Sequence, residues 1–405
     1  MSTVPAPLSV LQPRLTHWDL VLRQLQEHRR LSRAALARAT GLHKATISGL
    51  VQELIDEGFV IEVARTKGGT GRPSILLEFS RTRKLAVGIQ LDSATIRVVL
   101  ANLNAEVLWR QQAPVDRAAP QDEVLALLDT AISGAIGEAR RLGGAVLGLG
   151  LALPGIVDAD QGLLVRSDHL GWRQVPLRQI LEARYGLPIV VEKSTNAALF
   201  AEHIFGAARG HQHALYVEIA AHGIGGAILV DGAIYRGGSH FAGEFGHMVV
   251  DPGGPRCTCG ARGCWETLAG RAAILRHAHQ LWARDVAESV QGDCFRTPDD
   301  VLLAAAHDPI AAAAVRETAR WLGIGLASLI NVLGPQVVIV GGTLLESTPT
   351  MWPPLRESAR GRVLGELGDR CRIVAPHLGT DGYALGAAMA SIYEAPGRAE
   401  ARATA

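Results

Sequence analysis

Cysteine is scarce, with five residues in 405, and three of the five are crowded into one short stretch. So few and so clustered, they do not make the framework of a disulfide-stapled secreted domain, and they point to a reducing cytoplasm. Long apolar runs are also missing: none approaches the roughly 18 residues that a membrane-spanning helix needs. The first residues, MSTVPAPLSVLQPR, lack the apolar core of a signal peptide. Membrane partners are therefore not expected. What remains is a globular profile, 48% hydrophobic, 20% charged and with 45 glycines, in a chain long enough for two or three domains.

The total charge is close to balance, at +1, but its distribution is uneven. Residues 14 to 72 carry ten Lys/Arg against six Asp/Glu, a basic excess in a small N-terminal module of the kind that meets phosphates. Residues 1–13, with three prolines, read as a mobile tail. Leu15, Trp18, Leu22 and Leu25 then recur at helical spacing. A second helix opens after Ser32, a good N-cap, and runs to Thr40; Gly41 makes the turn. A third runs from near Lys44 to Glu57 with an apolar stripe of Ile47, Leu50, Val51, Leu54 and Ile55. Two strands follow, about Val60–Ala64 and Ile75–Phe79, joined by a basic hairpin from Arg65 to Pro73. The order predicts a winged helix-turn-helix over residues 14–80. Its third helix would enter a DNA major groove, where Lys44, Thr46, Ser48 and Gln52 can reach phosphates or base edges. Lys67 lies in the wing, and Gly71-Arg72-Pro73 resembles a segment that places arginine in an A·T-rich minor groove.

After Ser80 strands and helices alternate. Leu85–Leu91, Ile96–Asn102 and Val107–Pro114 read as a meander, followed by a helix over about Gln121–Leu142 and a buried strand at Ala145–Ala152. Ile189–Glu192 leads into a helix at Asn196–Phe205. A second set begins with Ala214–Ile219 and Gly225–Val230, and a final helix near Asp381–Tyr393 returns to the first set. Two α/β lobes around a cleft fit this order: residues 81–205, residues 206–376, and a returning helix within 377–394, with 395–405 as a tail.

The stretch His247 to Glu266 carries the crowded cysteines. Cys257, Cys259 and Cys264 fall within eight residues, ten residues after His247. Three thiolates and one imidazole form a complete tetrahedral set for Zn2+, with no open position, which points to a structural ion. This stretch, with Gly243-Glu244-Phe245-Gly246-His247 before it, resembles the signature of the ROK family, which contains sugar kinases and sugar-responsive repressors. The likeness runs over about residues 84 to 393. It implies an actin-like ATPase fold with a sugar site between lobes, and an effector-binding role for Asn196, Glu244, His247 and Glu266. Lys193, at the end of the strand entering that cleft, either pairs with Glu192, Glu244 or Glu266 or contacts the effector, favouring an anionic one.

The elements that the family's kinases need are altered. The phosphate loop Asp-x-Gly-Gly-Thr-Lys is replaced by Gln90-Leu91-Asp92-Ser93-Ala94-Thr95. In the motif Glu-Asn-Asp-x-Asn-Ala, Lys193 stands at the sugar-binding asparagine and Ser194 at the catalytic aspartate. A serine hydroxyl is too weakly basic for that role. His222 replaces the usual hydroxyl residue of the second phosphate loop, and Gly341-Gly342 resembles the nucleoside end. The sequence thus predicts no catalytic residues. It predicts a regulator, most simply a repressor of carbohydrate utilisation genes, whose partners are double-stranded operator DNA and a carbohydrate effector, and which forms a homodimer or homotetramer. The alternative is a ROK-type sugar kinase carrying a DNA-binding module.

Overall fold

The computed structural model describes residues 17–65, 74–220, 223–285 and 295–393. The expected tails, the wing residues Lys67 and Arg72, and His222 lie outside these described residues. No described helix is long and apolar enough to cross a membrane.

The N-terminal module contains α1 (His17–His28), β1 (Leu31–Ser32), α2 (Arg33–Thr40), α3 (Lys44–Asp56), β2 (Val60–Arg65) and β3 (Ile75–Phe79). Ser32 caps α2 by accepting the Ala35 N–H at 3.2 Å. Gly41 ends α2 at φ +71°, a left-handed angle that a side chain resists. Ile47, Val51 and Leu54 are buried, while Lys44, Ser48 and Gln52 face outward from the same helix. The strand β1, which pairs Leu31 with Leu77, is too short for any alternation to announce it.

Lobe 1 is built on β4 (Lys84–Leu91), β5 (Thr95–Asn102), β6 (Val107–Pro114), β7 (Ala145–Leu153) and a later strand that joins its edge, with helix α4 (Gln121–Arg141) packed against the sheet. Between β7 and that edge strand lie β8 (Ile156–Asp158), β9 (Leu163–Ser167) and β10 (Trp172–Val175), a small antiparallel sheet, followed by α5 (Leu177–Tyr185). The sequence showed no elements here, because strands of three to five residues carry too few positions to display a period. The edge strand is β11 (Ile189–Lys193), which feeds α6 (Ser194–Phe205). The five-stranded order is β11-β7-β4-β5-β6, with the β4–β6 meander antiparallel and the other pairs parallel.

Lobe 2 repeats this sheet. β12 (Ala214–Ala220), β13 (Gly223–Val230) and β14 (Ala233–Ile234) form the meander; helices α7 (Trp265–Ala269), α8 (Arg271–Asp285), α9 (Pro298–Ala304) and α10 (Pro309–Leu333) precede β15 (Val337–Gly341). Helices α11 (Thr343–Ser347), α12 (Trp352–Arg360) and α13 (Gly365–Arg370) lead to β16 (Arg372–Val374). The order β14-β13-β12-β15-β16 has the same antiparallel and parallel pairings as lobe 1. The last helix, α14 (Gly382–Tyr393), lies on lobe 1 against β4, β7 and α6. Glycine permits this contact: a Cβ on Gly88 would overlap the Ala384 carbonyl, and one on Gly150 the Ala387 carbonyl.

The winged module is not tethered loosely. Its core residues Leu25, Leu54 and Phe79 form one buried cluster with Ala86 and Leu103 of lobe 1 and with Leu385, Met389 and Ile392 of α14. Lys84 lies over the Phe59 ring, 4.6 Å from its centroid, and Arg209 donates to the Glu27 carbonyl at the end of α1. The helix that closes the two-lobed domain is thus also a floor of the N-terminal module.

Candidate effector cleft and metal centre

The end of β11 sets the cleft. Its last residues, Glu192 and Lys193, are both nearly buried, and both reach across to the lobe 2 loop that follows β14. The Glu192 carboxylate accepts from the Lys193 N–H and from Asn196 Nδ2, each at 2.9 Å. Its other oxygen accepts from Arg236 Nε at 2.8 Å and Nη2 at 2.5 Å. A buried carboxylate needs this full set of donors, because an unpaired charge in low dielectric costs several kcal/mol. Lys193 Nζ donates to Glu244 Oε1 at 2.5 Å and approaches the Ala242 carbonyl at 3.4 Å. Two ion pairs therefore cross from lobe 1 to one loop of lobe 2.

Asn196, which donates to Glu192, is 5% exposed, and its Oδ1 is buried with no hydrogen-bond partner among the described residues. Thr195 Oγ1 donates to the Gly226 carbonyl at 2.9 Å, tying the start of α6 to β13. Ser194 is the first residue of α6 and is buried. Arg236 was not singled out from the sequence. Its partner lies 44 residues away, so no local spacing connects them.

Glu266 stands in the first turn of α7, two residues after Cys264, and meets the same region from the other side. Gly223 lacks the Cβ that would crowd the Glu266 carboxylate. Glu266 Oε1 accepts the Cys257 thiol at 3.0 Å and lies 3.6 Å from His247 Nδ1. His247 ends a short 3-10 turn, Phe245–His247, that begins just after Glu244. The ring of Phe245 packs where a Cβ of Gly226 would stand, which pins that turn to β13. Glu244, His247 and Glu266 are thus brought to one side of the cleft. Lys193 reaches them from the other through Glu244.

The ligand atoms of His247, Cys257, Cys259 and Cys264 all lie within 4.8 Å of one another, so the cluster can hold a metal ion. The pair Cys259 and Cys264 has its sulfurs 3.6 Å apart. Backbone bonds shape the loop, among them Cys257 N–H to the Ala261 carbonyl at 2.8 Å and Val250 N–H to the Gly263 carbonyl at 2.9 Å. Burial, with the Glu266 carboxylate beside it, pushes the Cys257 thiol up to about 12. Burial also raises Cys264, whereas the Ala261 N–H lowers exposed Cys259. A metal must displace these protons, so its hold weakens as pH falls.

Just beyond β4, Asp92 turns its carboxylate back onto its own loop. Oδ1 accepts the N–H groups of Ala94 and Thr95 at 2.7 and 2.9 Å, and Oδ2 accepts the Thr95 hydroxyl at 3.1 Å. Backbone N–H groups that would cradle a phosphate are already used. Glu218 of β12 is a second acid in this region that the sequence did not flag. Burial, with Asp92 and Glu346 adding to it, raises its pKa, against a Tyr383 hydrogen bond and the Lys193 charge. Gly342, at φ +105°, caps α11 after β15.

On α3, Lys44, Ser48 and Gln52 share the exposed face and Thr46 is half-buried. The Ser48 hydroxyl donates to the Lys44 carbonyl at 2.9 Å, and Gln52 Nε2 donates to Asp56 Oδ1 at 2.9 Å. Both polar groups are engaged within the helix.

A model of the ROK family matches residues 86–392, and one of the IclR helix-turn-helix domain matches residues 20–63. The chain is 32% identical over 373 residues to the xylose repressor of Bacillus subtilis (strain 168), covering 92% of this chain and 93% of that one. It is 33% identical over 316 residues to a glucokinase of Streptomyces coelicolor, covering 75% of this chain and 96% of that one. The crystal structure of a ROK family transcriptional regulator, a homologue of the E. coli MLC protein, superposes with a TM-score of 0.77 at 26% identity, over 92% of this chain and 94% of that one. With the family's pattern spanning both lobes and the cysteine loop of lobe 2, the chain belongs to the ROK family.

Proposed function

We propose that the protein is a DNA-binding repressor of carbohydrate utilisation genes, acting in the cytoplasm, whose ROK domain senses a sugar or sugar derivative without phosphorylating it. One observation carries the reading. At the start of α6, where a kinase of this family needs a carboxylate base, Ser194 is buried and its neighbour Lys193 is committed to Glu244. The self-capped Asp92 supports it, since that loop offers an incoming phosphate a carboxylate in place of free N–H groups. The effector would lie between Lys193 and Asn196 on one side and Glu244, His247 and Glu266 on the other. Carboxylates there accept from vicinal hydroxyls, and the unpartnered Asn196 Oδ1 is a further acceptor.

The metal is zinc in this reading, held by His247, Cys257, Cys259 and Cys264. It supplies no chemistry beyond fixing the loop. Once the Cys257 thiol gives up its proton to metal binding, Glu266 loses that donor and its carboxylate faces the effector. The DNA contacts come from Lys44, Thr46, Ser48, Gln52, Lys67 and Arg72, with two copies of the chain on two half-sites. The continuous core of the winged module, lobe 1 and α14 supports a path by which the cleft acts on DNA.

The test is a titration of operator release with purified chain, beginning with xylose because a repressor relative is named for it, beside a coupled assay of sugar-dependent ATP hydrolysis. Release without hydrolysis is the expected result. Hydrolysis at a kinase rate would establish the second reading, a sugar kinase with a DNA-binding module, which the likeness to glucokinase keeps in view.

A further inference from the structure

Away from the cleft, a cavity of about 1150 Å3 opens in lobe 2 between the cysteine loop, α8, α10 and the end of α12. Six arginines line it: Arg262 from the loop, Arg276 and Arg284 from α8, Arg316 and Arg320 from α10, and Arg362 just beyond α12. Three acids, Asp251, Glu317 and Glu357, share the lining. His277 adds no charge, because burial pushes it down to about 4.

The positive charge is poorly compensated. Arg320 is satisfied, with two bonds to Glu317 at 2.6 and 2.9 Å and its guanidinium over the Trp321 ring. Arg276 donates to the Thr267 carbonyl, and burial lowers its pKa. Among the described residues the Arg362 side chain finds only the Ser358 carbonyl and hydroxyl, at 2.9 and 3.1 Å. Among the described residues Arg262, Arg284 and Arg316 have neither an ion pair nor a side-chain hydrogen bond. Three unpaired guanidinium groups from three different elements thus face one cavity.

We propose that this cavity binds a phosphorylated small molecule, at a site separate from the sugar cleft. The guanidinium fork matches phosphate oxygens two at a time. An anion would offset the mutual repulsion that the unpaired arginines otherwise bear. Leu268, Leu281 and Trp321 give the cavity an apolar wall for the ligand's carbon frame. Arg262 belongs to the loop that carries the cysteines, while Arg284 and Arg316 belong to the helices behind it. An anion held by all three ties that loop to α8 and α10. His247 and Glu266 sit at the two ends of the same loop, so the ligand changes sugar affinity, and sugar changes ligand affinity by the same factor.

The experiment is calorimetric titration of the full chain with pyrophosphate at fixed ionic strength. Three proteins are compared: wild type, the double variant Arg284→Ala with Arg316→Ala, and Lys44→Ala as a control for anions collected by the DNA face. One saturable site is expected in wild type and in Lys44→Ala, weakened roughly ten-fold or more in the double variant. The replaced arginines are exposed, so the unliganded double variant should melt with wild type. The proposal is overturned if wild type shows no saturable binding, or if the double variant binds as tightly as wild type. It is also overturned if wild type binds no pyrophosphate while the double variant alone changes oligomeric state in sedimentation, which would make the cavity an interface between copies.

Discussion

Lys193 Nζ of β11 lies 2.5 Å from Glu244 Oε1, and this one contact joins the kinase-like motif of lobe 1 to the sugar-type motif of lobe 2. The two partners differ in exposure: the Lys193 side chain is 8% exposed and that of Glu244 40%.

That asymmetry predicts unequal costs. Glu244→Gln strands a nearly buried ammonium and should destabilise by about 3 kcal/mol, whereas Lys193→Met leaves a carboxylate that water reaches and should cost about 1 kcal/mol. Denaturant unfolding of both variants and the double variant measures this. Equal costs would show a pair already screened by solvent. Operator release titrated with neutral sugars and with sugar phosphates or acids, on wild type and Lys193→Ala, asks whether this lysine reads effector charge. Release by a neutral sugar alone, with affinity unchanged in Lys193→Ala, would leave it a positioning residue.

One zinc per chain is expected by elemental analysis. Cys257→Ser should remove it and lower the unfolding temperature of the effector domain more than that of the winged module, since the ligand ties a lobe 2 loop. Stoichiometric zinc surviving in a variant that lacks both Cys257 and Cys264 would rule the site out.

Gln52→Ala should relax base preference at one operator position, with a loss of about 1–3 kcal/mol if the contact is bidentate. The Asp56 hydrogen bond that now holds Gln52 must be given up on DNA, so Asp56→Ala should not reproduce that change in preference. Arg72→Ala should weaken binding more at A·T-rich flanks than at G·C-rich ones, and equal weakening would make it a phosphate contact.

His277 gives a pH dependence. Its Nδ1 lies 2.9 Å from Thr318 Oγ1, whose own hydrogen goes to the Ala314 carbonyl at 2.9 Å; the imidazole therefore donates. Burial pushes its pKa down to about 4, below the value near 6.5 of an unfolded chain. The unfolded state binds the proton first, so stability is full above about pH 6.5 and falls as pH drops towards 4. The loss is on the order of 3 kcal/mol. Unfolding of wild type and His277→Gln between pH 7 and 5 should show the extra loss in wild type alone, with metal effects common to both.

The double variant Lys193→Asn with Ser194→Asp should not phosphorylate sugar. Asp92 still occupies the N–H groups of Ala94 and Thr95, and the loop still lacks glycines. Measurable sugar phosphorylation in that double variant would show that the base alone was missing.

Several features were legible in the amino-acid order because each is local. The turn glycine Gly41, the stripe of Ile47, Val51 and Leu54, and the crowding of Cys257, Cys259 and Cys264 ten residues after His247 are all carried by short spacings. So was the loss of the kinase motif at Lys193 and Ser194, which needs only the residue types. What those residues do instead was decided by tertiary structure. Sequence left Lys193 a choice of Glu192, Glu244 or Glu266, and only the crossing of the lobes put Glu244 within reach while Arg236 took Glu192. The same holds for the shared core of Leu54, Leu385 and Met389, for Glu218 among other acids, and for the six arginines around one cavity. These partners are separated by tens to hundreds of residues. No periodicity links them, and charges or methyl groups meet there only because two copies of one sheet and a returning helix close on each other.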